Sequence, residues 1–446
     1  MQWHLRLGRG INKNMLSRED NELLTRVGPN TPMGELLRRF WTPALLSEEL
    51  PRPDCDPINL RLLGEDLVCF RDSNGEIGFL DSFCPHRRAN LFFGRNEESG
   101  LRCVYHGWKF DVAGNCVDMP SEPDDTNFKN KIKITSYPSV ERGGVIYIYM
   151  GPSVLKPQPP ELEWAYLPKK QRTATKRLQQ NNWLQAVEGG IDSSHISFLH
   201  SRTNNQANNK KSPIPRNKYH AQDRHPVFQI EEMDYGLRIA ARRNAGPKKF
   251  YWRITQYLYP YYTMIPPVGD FDTSKGQPYA GHAWVPIDDE NTWTWSFGAS
   301  PEREYTKDER KFSGGKDGMW GPIDQNYFPL QNRDNNYLID REVQRTRSFT
   351  GINGIPNQDA AVQESMGSIV DRSKEKLGTS DAAIIAFRKS LIKLTKEVAE
   401  GKEPAAALDG QLYNVRSVSV VLDKDKKFAE GAKHLFSGGQ VLSAAE

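Results

Sequence analysis

The stretch CPHRRANLFFGRNEESGLRCVYHGW, from Cys84 to Trp108, constrains this chain more than any other. It offers one cysteine and one histidine twice, as Cys84-Pro85-His86 and as Cys103-Val104-Tyr105-His106. Thiolates and imidazoles gathered four at a time hold metal. Structural zinc sites tend to pair cysteines in one knuckle and histidines in another, whereas here each short arm is mixed. The preceding text is hairpin writing: INLRLLGEDLVCFRDSNGEIGFL (58–80) breaks at Gly64-Glu65-Asp66 and at Ser73-Asn74-Gly75.

The mixed arms fit a [2Fe–2S] cluster whose irons differ, one taking Cys84 and Cys103 and the other His86 and His106. This is Rieske ligation, in which neutral histidines raise the potential to roughly −150 to +300 mV. Gly107 is expected to let backbone approach the cluster, and Tyr105 and Trp108 to shield it. The remaining cysteines, Cys55, Cys69 and Cys116, read as ordinary thiols. An odd, widely spaced set of five is no disulfide framework and fits a reducing cytoplasm.

A chain of 446 residues exceeds one hydrophobic core. Residues 1–14 are set aside as a tag or upstream extension, with neither the apolar stretch nor the cleavage site of a signal peptide. A helical segment follows (15–42, with helix over 19–40), then the cluster domain (43–155), which ends in the strand GGVIYIYMGP (143–152) and a proline-rich linker (152–160). A second domain occupies 156–446. LQQNNWLQAVEGGIDSSHISFLH (178–200) is expected to be helical, weakened by Gly189-Gly190. Residues 201–225 read as a long polar loop. Strands return at VFQIEEMDYGLRIAARR, turning at Asp234-Tyr235-Gly236, and at FYWRITQYLYPYY, AGHAWVP and TWTWSFG. Helix dominates 359–400, with Ser380-Asp381 as a cap.

A cluster alone only moves electrons, so the second domain must carry any reaction centre. GGIDSSHISFLH offers Asp192, His195 and His200. On a helix Asp192 and His195 would lie about 60° apart, but His195 and His200 about 140° apart, so a regular helix would splay the histidines. Two histidines and one carboxylate make the facial triad of non-haem Fe(II) oxygenases.

With both features in view, the chain resembles the large, catalytic subunit of Rieske non-haem iron ring-hydroxylating oxygenases, in the phthalate 4,5-dioxygenase-like branch. The resemblance runs from about residue 15 onward and rests on C-P-H-R near 84, C-x-Y-H-G-W at 103–108, N-W-x-Q-x-x-E-G at 182–189 and D-x2-H-x4-H at 192–200. It implies an α+β protein, with an antiparallel-β Rieske domain and a helix-grip (START-like) catalytic domain built on a large antiparallel sheet flanked by helices. It also implies that Cys84, His86, Cys103 and His106 bind the cluster and that His195 and His200 bind a mononuclear Fe(II). Asp192 then bridges His195 to His106 of a neighbouring subunit as the electron path. NQDAAVQESMG (357–367) resembles the family's third-ligand motif, giving Asp359, with Glu364 and Asp371 as alternatives. Some relatives carry an asparagine three residues before the bridging aspartate; here that position is Gly189.

The resemblance further implies a homotrimer or stacked hexamer, O₂ as co-substrate, and a separate NADH-dependent FMN/[2Fe–2S] reductase, since no nucleotide-binding glycine turn occurs in this chain. The expected reaction is cis-dihydroxylation of an aromatic acid, phthalate or a relative, with O- or N-demethylation as the alternative. Arg253, Arg216 and Ser193 are the candidate substrate residues, because a guanidinium grips a carboxylate bidentately. The net charge of +4 is scattered in short clusters, which argues against nucleic acid. No apolar run approaches the ~18 residues of a membrane span. A ferredoxin-like carrier and a zinc-binding structural protein are rival readings, and the second domain's own metal set argues against both.

Overall fold

The computed structural model describes residues 16–201, 218–267, 278–314 and 321–439. Its first half is three small antiparallel sheets. One joins Trp41–Leu46, Val145–Tyr149 and Ser139–Arg142; another joins Ile58–Leu62, Glu65–Arg71 and Ile77–Asp81 through the two expected turns. The third, built from Arg95–Glu97, Gly100–Arg102, Lys109–Phe110 and Cys116–Asp118, carries one cluster arm between its second and third strands.

The second half is one antiparallel sheet of eight strands: β1 (Arg172–Gln179), β2 (Val227–Met233), β3 (Gly236–Asn244), β4 (Lys249–Leu258), β5 (Tyr262–Ile265), β6 (Tyr279–Pro286), β7 (Thr292–Ala299) and β8 (Val418–Asp423). The order is β1-β7-β6-β5-β4-β3-β2. β4 is the pivot, because β5 pairs with its last residues, Gln256–Leu258, and β8 pairs with Lys249–Ile254. Two helices cover the sheet. α1 (Trp183–Ile191) lies over β5 and β6, and the longer helix Ala382–Ala399 lies over β2 and β3. Trp183, Leu184, Trp295, Tyr257, Phe387 and Leu391 are among the buried side chains of the main core. The architecture is thus α+β with a large antiparallel sheet, as expected.

Several local expectations are corrected. The helix expected over 19–40 is two short ones, Arg18–Thr25 and Pro32–Leu37. Asn30 between them has a positive φ of 63°, and Pro29 and Pro32 withhold backbone donors. The helix expected over 178–200 is only α1: Leu178 and Gln179 end strand β1, Asn182 caps α1 by accepting from Leu184 N at 3.1 Å, and the helix stops at Ile191. Within 201–225, residues 218–222 form a short helix, α2. Helix over 359–400 is also divided, into α3 (Ile355–Ser365) and α4 (Ala382–Ala399). The Asp381 carboxylate accepts from Gly378 N at 2.7 Å and makes no cap bond to α4.

Gly189-Gly190 have a packing purpose. A Cβ on Gly190 would meet Trp284 Nε1 at 2.9 Å, and one on Gly189 would meet Gln363 Nε2 at 2.1 Å. Bare backbone lets α1 lie against both the sheet and α3.

Candidate metal and substrate site

The two cluster arms are built alike. The Cys84 carbonyl accepts from Arg88 N and Cys84 N donates to the Ala89 carbonyl, both at 2.9 Å. The Cys103 carbonyl accepts from Gly107 N at 3.0 Å and Cys103 N donates to the Trp108 carbonyl at 2.8 Å. The fifth residue of each arm is left-handed, Arg88 at φ 58° and Gly107 at φ 81°. Gly107 serves this turn and a close approach to Pro120, whose Cγ lies 2.7 Å from where its Cβ would be. Cys84 and Cys103 are buried, and the Cys84 thiol, donating to Cys103, holds the latter's pKa below the usual thiol range. His86 and His106 meet ring to ring at 4.4 Å. His106 Nδ1 is buried with no hydrogen-bond partner among the described residues, which is costly unless a bound group takes it. Paired thiols and an orphaned imidazole nitrogen fit the cluster. Trp108 is the buried shield, stacked on His86 at 4.5 Å, whereas Tyr105 lies beside His106 but is exposed.

The second site forms where α1 stops. Asp192 turns the chain: its Oδ1 accepts from Ser194 N at 2.6 Å and its Oδ2 from His195 N at 3.3 Å. The next turn, His195–Ser197, is a short 3₁₀ piece, so His195 and His200 escape the splaying a helix would impose. Their Nε2 atoms come within 3.1 Å of each other. Asp359, on α3, puts Oδ1 3.6 Å from His195 Nε2 and 3.3 Å from His200 Nε2. Metal–ligand bonds near ~2.1 Å place cis ligands about 3 Å apart, so three mutually adjacent atoms of this kind fit one face of an ion. Burial pushes the Asp359 carboxyl up, but the hydrogen bond with His200 and the nearby charges prevail and keep it below the usual range, ionised. The alternatives are engaged elsewhere. Glu364 accepts from Tyr337 Oη and from Gln180 N, and Asp371 accepts from Ser373.

Each histidine is held from behind. His195 Nδ1 lies 3.4 Å from Asp192 Oδ2. His200 Nδ1 lies 2.7 Å from Gln358 Oε1, and the Gln358 amide is oriented by its own Nε2, which donates to the Ile352 carbonyl at 2.9 Å. Gln358 therefore presents an acceptor and His200 Nδ1 is the donor, which leaves Nε2 as the nitrogen that faces Asp359 and would bind a metal. Sequence reasoning missed Gln358, whose one signal was adjacency to Asp359. It missed Gln363 too, whose amide fills the space beside Gly189 and accepts from Gln179 Nε2 at 2.6 Å.

Of the candidate substrate residues, Arg216 lies outside the described residues. Ser193 is buried, and its hydroxyl finds no partner among the described residues. Arg253 is buried on β4; Nη1 donates to the Pro266 carbonyl at 3.0 Å, Nε has no partner, and no carboxylate pairs with it among the described residues. Burial and, least of all, the charge of Arg253 push the His195 pKa down, but the hydrogen bond with Asp192 and the charge of Asp359 prevail and raise it above the usual range.

Comparison with known proteins agrees with this geometry. Residues 40–138 match the Rieske [2Fe-2S] domain family, and residues 148–437 match the family described as LigXa C-terminal domain like. The chain is 41% identical to the phthalate 4,5-dioxygenase oxygenase subunit of Pseudomonas putida, over 85% of this chain and 86% of that one. It is 39% identical to the 3-chlorobenzoate-3,4-dioxygenase oxygenase subunit of Comamonas testosteroni, over 89% and 92%. It is also 31% identical to the 5,5'-dehydrodivanillate O-demethylase oxygenase subunit of a Sphingobium species, over 90% and 85%. Among solved structures, an NdmA variant of Pseudomonas putida CBB5 with caffeine superposes with a TM-score of 0.59 at 20% identity, covering 88% of this chain and 99% of that one, which speaks to fold. No helix among the described residues is long and apolar enough to cross a membrane. The chain belongs to the Rieske non-haem iron oxygenases, enzymes whose oxygenase subunit carries a [2Fe–2S] cluster and a mononuclear iron.

Proposed function

We propose that this oxygenase subunit cis-dihydroxylates an aromatic carboxylic acid, phthalate or a near relative, with O₂ and electrons from a separate NADH-dependent FMN/[2Fe–2S] reductase. The observation that carries the reading is Arg253, a buried guanidinium with no carboxylate partner among the described residues, on the sheet face whose Arg243 donates to the Ser193 carbonyl beside Asp192. A buried cation without a counter-ion is costly, and an anionic substrate would supply the missing charge. The relatives act, by their names, on phthalate and chlorobenzoate, which supports the same class.

In this reading Cys84, His86, Cys103 and His106 hold the cluster, and His195, His200 and Asp359 hold the iron. The bound centres supply electrons and O₂ activation. The protein's own part is placement. Gln358 and Asp192 orient the histidines, Arg253 grips the acid, and Ser193 adds a hydrogen bond. Asp192 joins His195 to His106 of the next subunit in a homotrimer or stacked hexamer. Exposed apolar residues beside the cluster arms (Phe93, Val104, Tyr105) and beside the iron loop (Phe198, Phe349) support such a head-to-tail contact. O-demethylation is the second reading, favoured by the demethylase relative.

The test is ¹⁸O₂ turnover of phthalate and 3-chlorobenzoate with a phthalate-type reductase and NADH, read by mass spectrometry. A dihydrodiol with two labelled oxygens is expected. Formaldehyde from a methoxylated aromatic acid, with no diol from either acid, would move the chain to the demethylase reading.

A further inference from the structure

Against Tyr251, on the sheet face it shares with Arg253, lies a second polar group that the reaction scheme above leaves idle. His220 sits on α2 (Lys218–Gln222), which packs against both β3 and the His195–Ser197 turn. Its Nε2 is buried and meets no partner among the described residues. Its ring stands edge-on to Tyr251 at 5.7 Å, while the neighbouring Tyr219 stacks on the same ring at 5.0 Å.

Sheet register shows what shares this space. Arg243 pairs with Tyr251, Ala241 with Arg253, and Arg253 with Ser419 across to β8. Residues directly opposite one another, or two apart on a strand, point to the same face. Arg243, Tyr251, Arg253 and Ser419 therefore share one face. Arg243 Nη2 donates to the Ser193 carbonyl at 2.6 Å, tying that face to the loop of Asp192 and His195. Burial first, then the charges of Arg253 and Arg243, push the His220 pKa down to about 2, so its ring is neutral at working pH.

The donors divide by geometry. Arg253 spends Nη1 on the Pro266 carbonyl, which leaves its Nε–Nη2 edge, the edge that takes both oxygens of one carboxylate. That grip already gives each oxygen of the carboxylate a charged donor, stronger than a neutral imidazole N–H. A neutral imidazole with Nε2–H is suited to a different acceptor.

We propose that His220 is a specificity-determining residue, donating from Nε2 to a second acceptor substituent next to the carboxylate that Arg253 holds, so that the pocket selects ortho-substituted aromatic acids over benzoate. This rests on the aromatic-acid reading above. A hydrogen bond of this kind to a charged group corresponds to roughly a 10- to 100-fold gain in affinity.

The experiment is equilibrium binding of phthalate and of benzoate to the iron-loaded holoenzyme, by calorimetry and by perturbation of the Fe(II)–nitrosyl electron paramagnetic resonance signal, for wild type, His220→Leu and His220→Gln. His220→Leu is expected to lose roughly 10- to 100-fold in phthalate affinity while benzoate affinity changes little, and His220→Gln, which keeps a donor, to recover most of the difference. A role confined to packing would weaken both acids alike and would not be rescued by glutamine. An unchanged phthalate-to-benzoate ratio in His220→Leu overturns the inference and leaves the aromatic-acid reading standing. Failure of wild type to bind either acid overturns both. Should the leucine variant not fold, the same ratio in His220→Phe, which keeps a ring and has no donor, decides: a ratio lowered against wild type supports the inference and an unchanged ratio overturns it.

Discussion

Replacing Gln358 by leucine removes the acceptor behind His200 while leaving all three proposed iron ligands in place. Two hydrogen bonds are lost, the 2.7 Å contact with His200 Nδ1 and the 2.9 Å donation to the Ile352 carbonyl. The first matters for metal, because it fixes which imidazole nitrogen carries the proton and where the ring points. Without it, both tautomers become accessible and the ring gains freedom that binding must remove. Removing such a supporting partner generally costs 10- to 100-fold in metal affinity or activity, about 1.4–2.7 kcal/mol. The assay is competition for Fe(II) against a chelator of known affinity, followed by the nitrosyl signal, with the cluster's visible spectrum as a check that the first domain is intact. The expected result is Fe(II) affinity reduced by 10- to 100-fold with an unchanged cluster spectrum. Wild-type affinity in the leucine variant would refute the argument that Gln358 positions His200.

Asp192→Asn should bind both metals yet slow single-turnover product formation from pre-reduced enzyme by roughly 10- to 100-fold, as read by rapid quench. Glu188→Gln should destabilise the second domain by about 3–5 kcal/mol in urea melts, because Arg372 and Arg388, both buried, pair with that one carboxylate. Burial raises the Glu188 pKa, but the two guanidiniums outweigh it and hold the pKa below 4.5, so its contribution is full above that pH and falls as the pH drops through the folded value beneath it. Wild-type melts should therefore steepen in their pH dependence below about 4.5, and Glu188→Gln melts less so. Lys176, on β1, is buried among Trp293, Trp295 and Tyr327 and pairs with Glu49 of the first domain at 2.6 Å. Glu49→Gln alone should cost about 3–5 kcal/mol, and adding Lys176→Met should recover part of that loss in a double-mutant cycle.

The Rieske domain was legible because its four proposed ligands lie on two short arms whose shape is set by local hydrogen bonds from Cys84 and Cys103. Their likeness was hidden by Arg88 standing where the other arm has Gly107. The iron histidines were legible as a motif, while their convergence depended on α1 ending at Ile191, which a helix drawn to His200 obscured. Asp359 comes from a distant segment and was reachable only through resemblance. Gln358, Gln363 and His220 carry no local pattern. Each acquires meaning from what the fold sets beside it: a histidine ring, a bare glycine, and a sheet face with unpaired donors.

The shared edge of β4 has a consequence for biosynthesis. A chain emerges N-terminus first, and its domains generally fold as they appear. The cluster arms are complete by His106 and the metal triad by Asp359, but Arg253 gains its neighbour Ser419 only when β8 is added. In the proposed reading, metal loading and completion of the sheet beside Arg253 are thus separable in time. A chain cut before Val418 would have every proposed metal ligand and lack the strand that flanks Arg253. Such a product would hold iron without its substrate wall, so for this enzyme a coloured, metal-replete preparation is no assurance of a finished one.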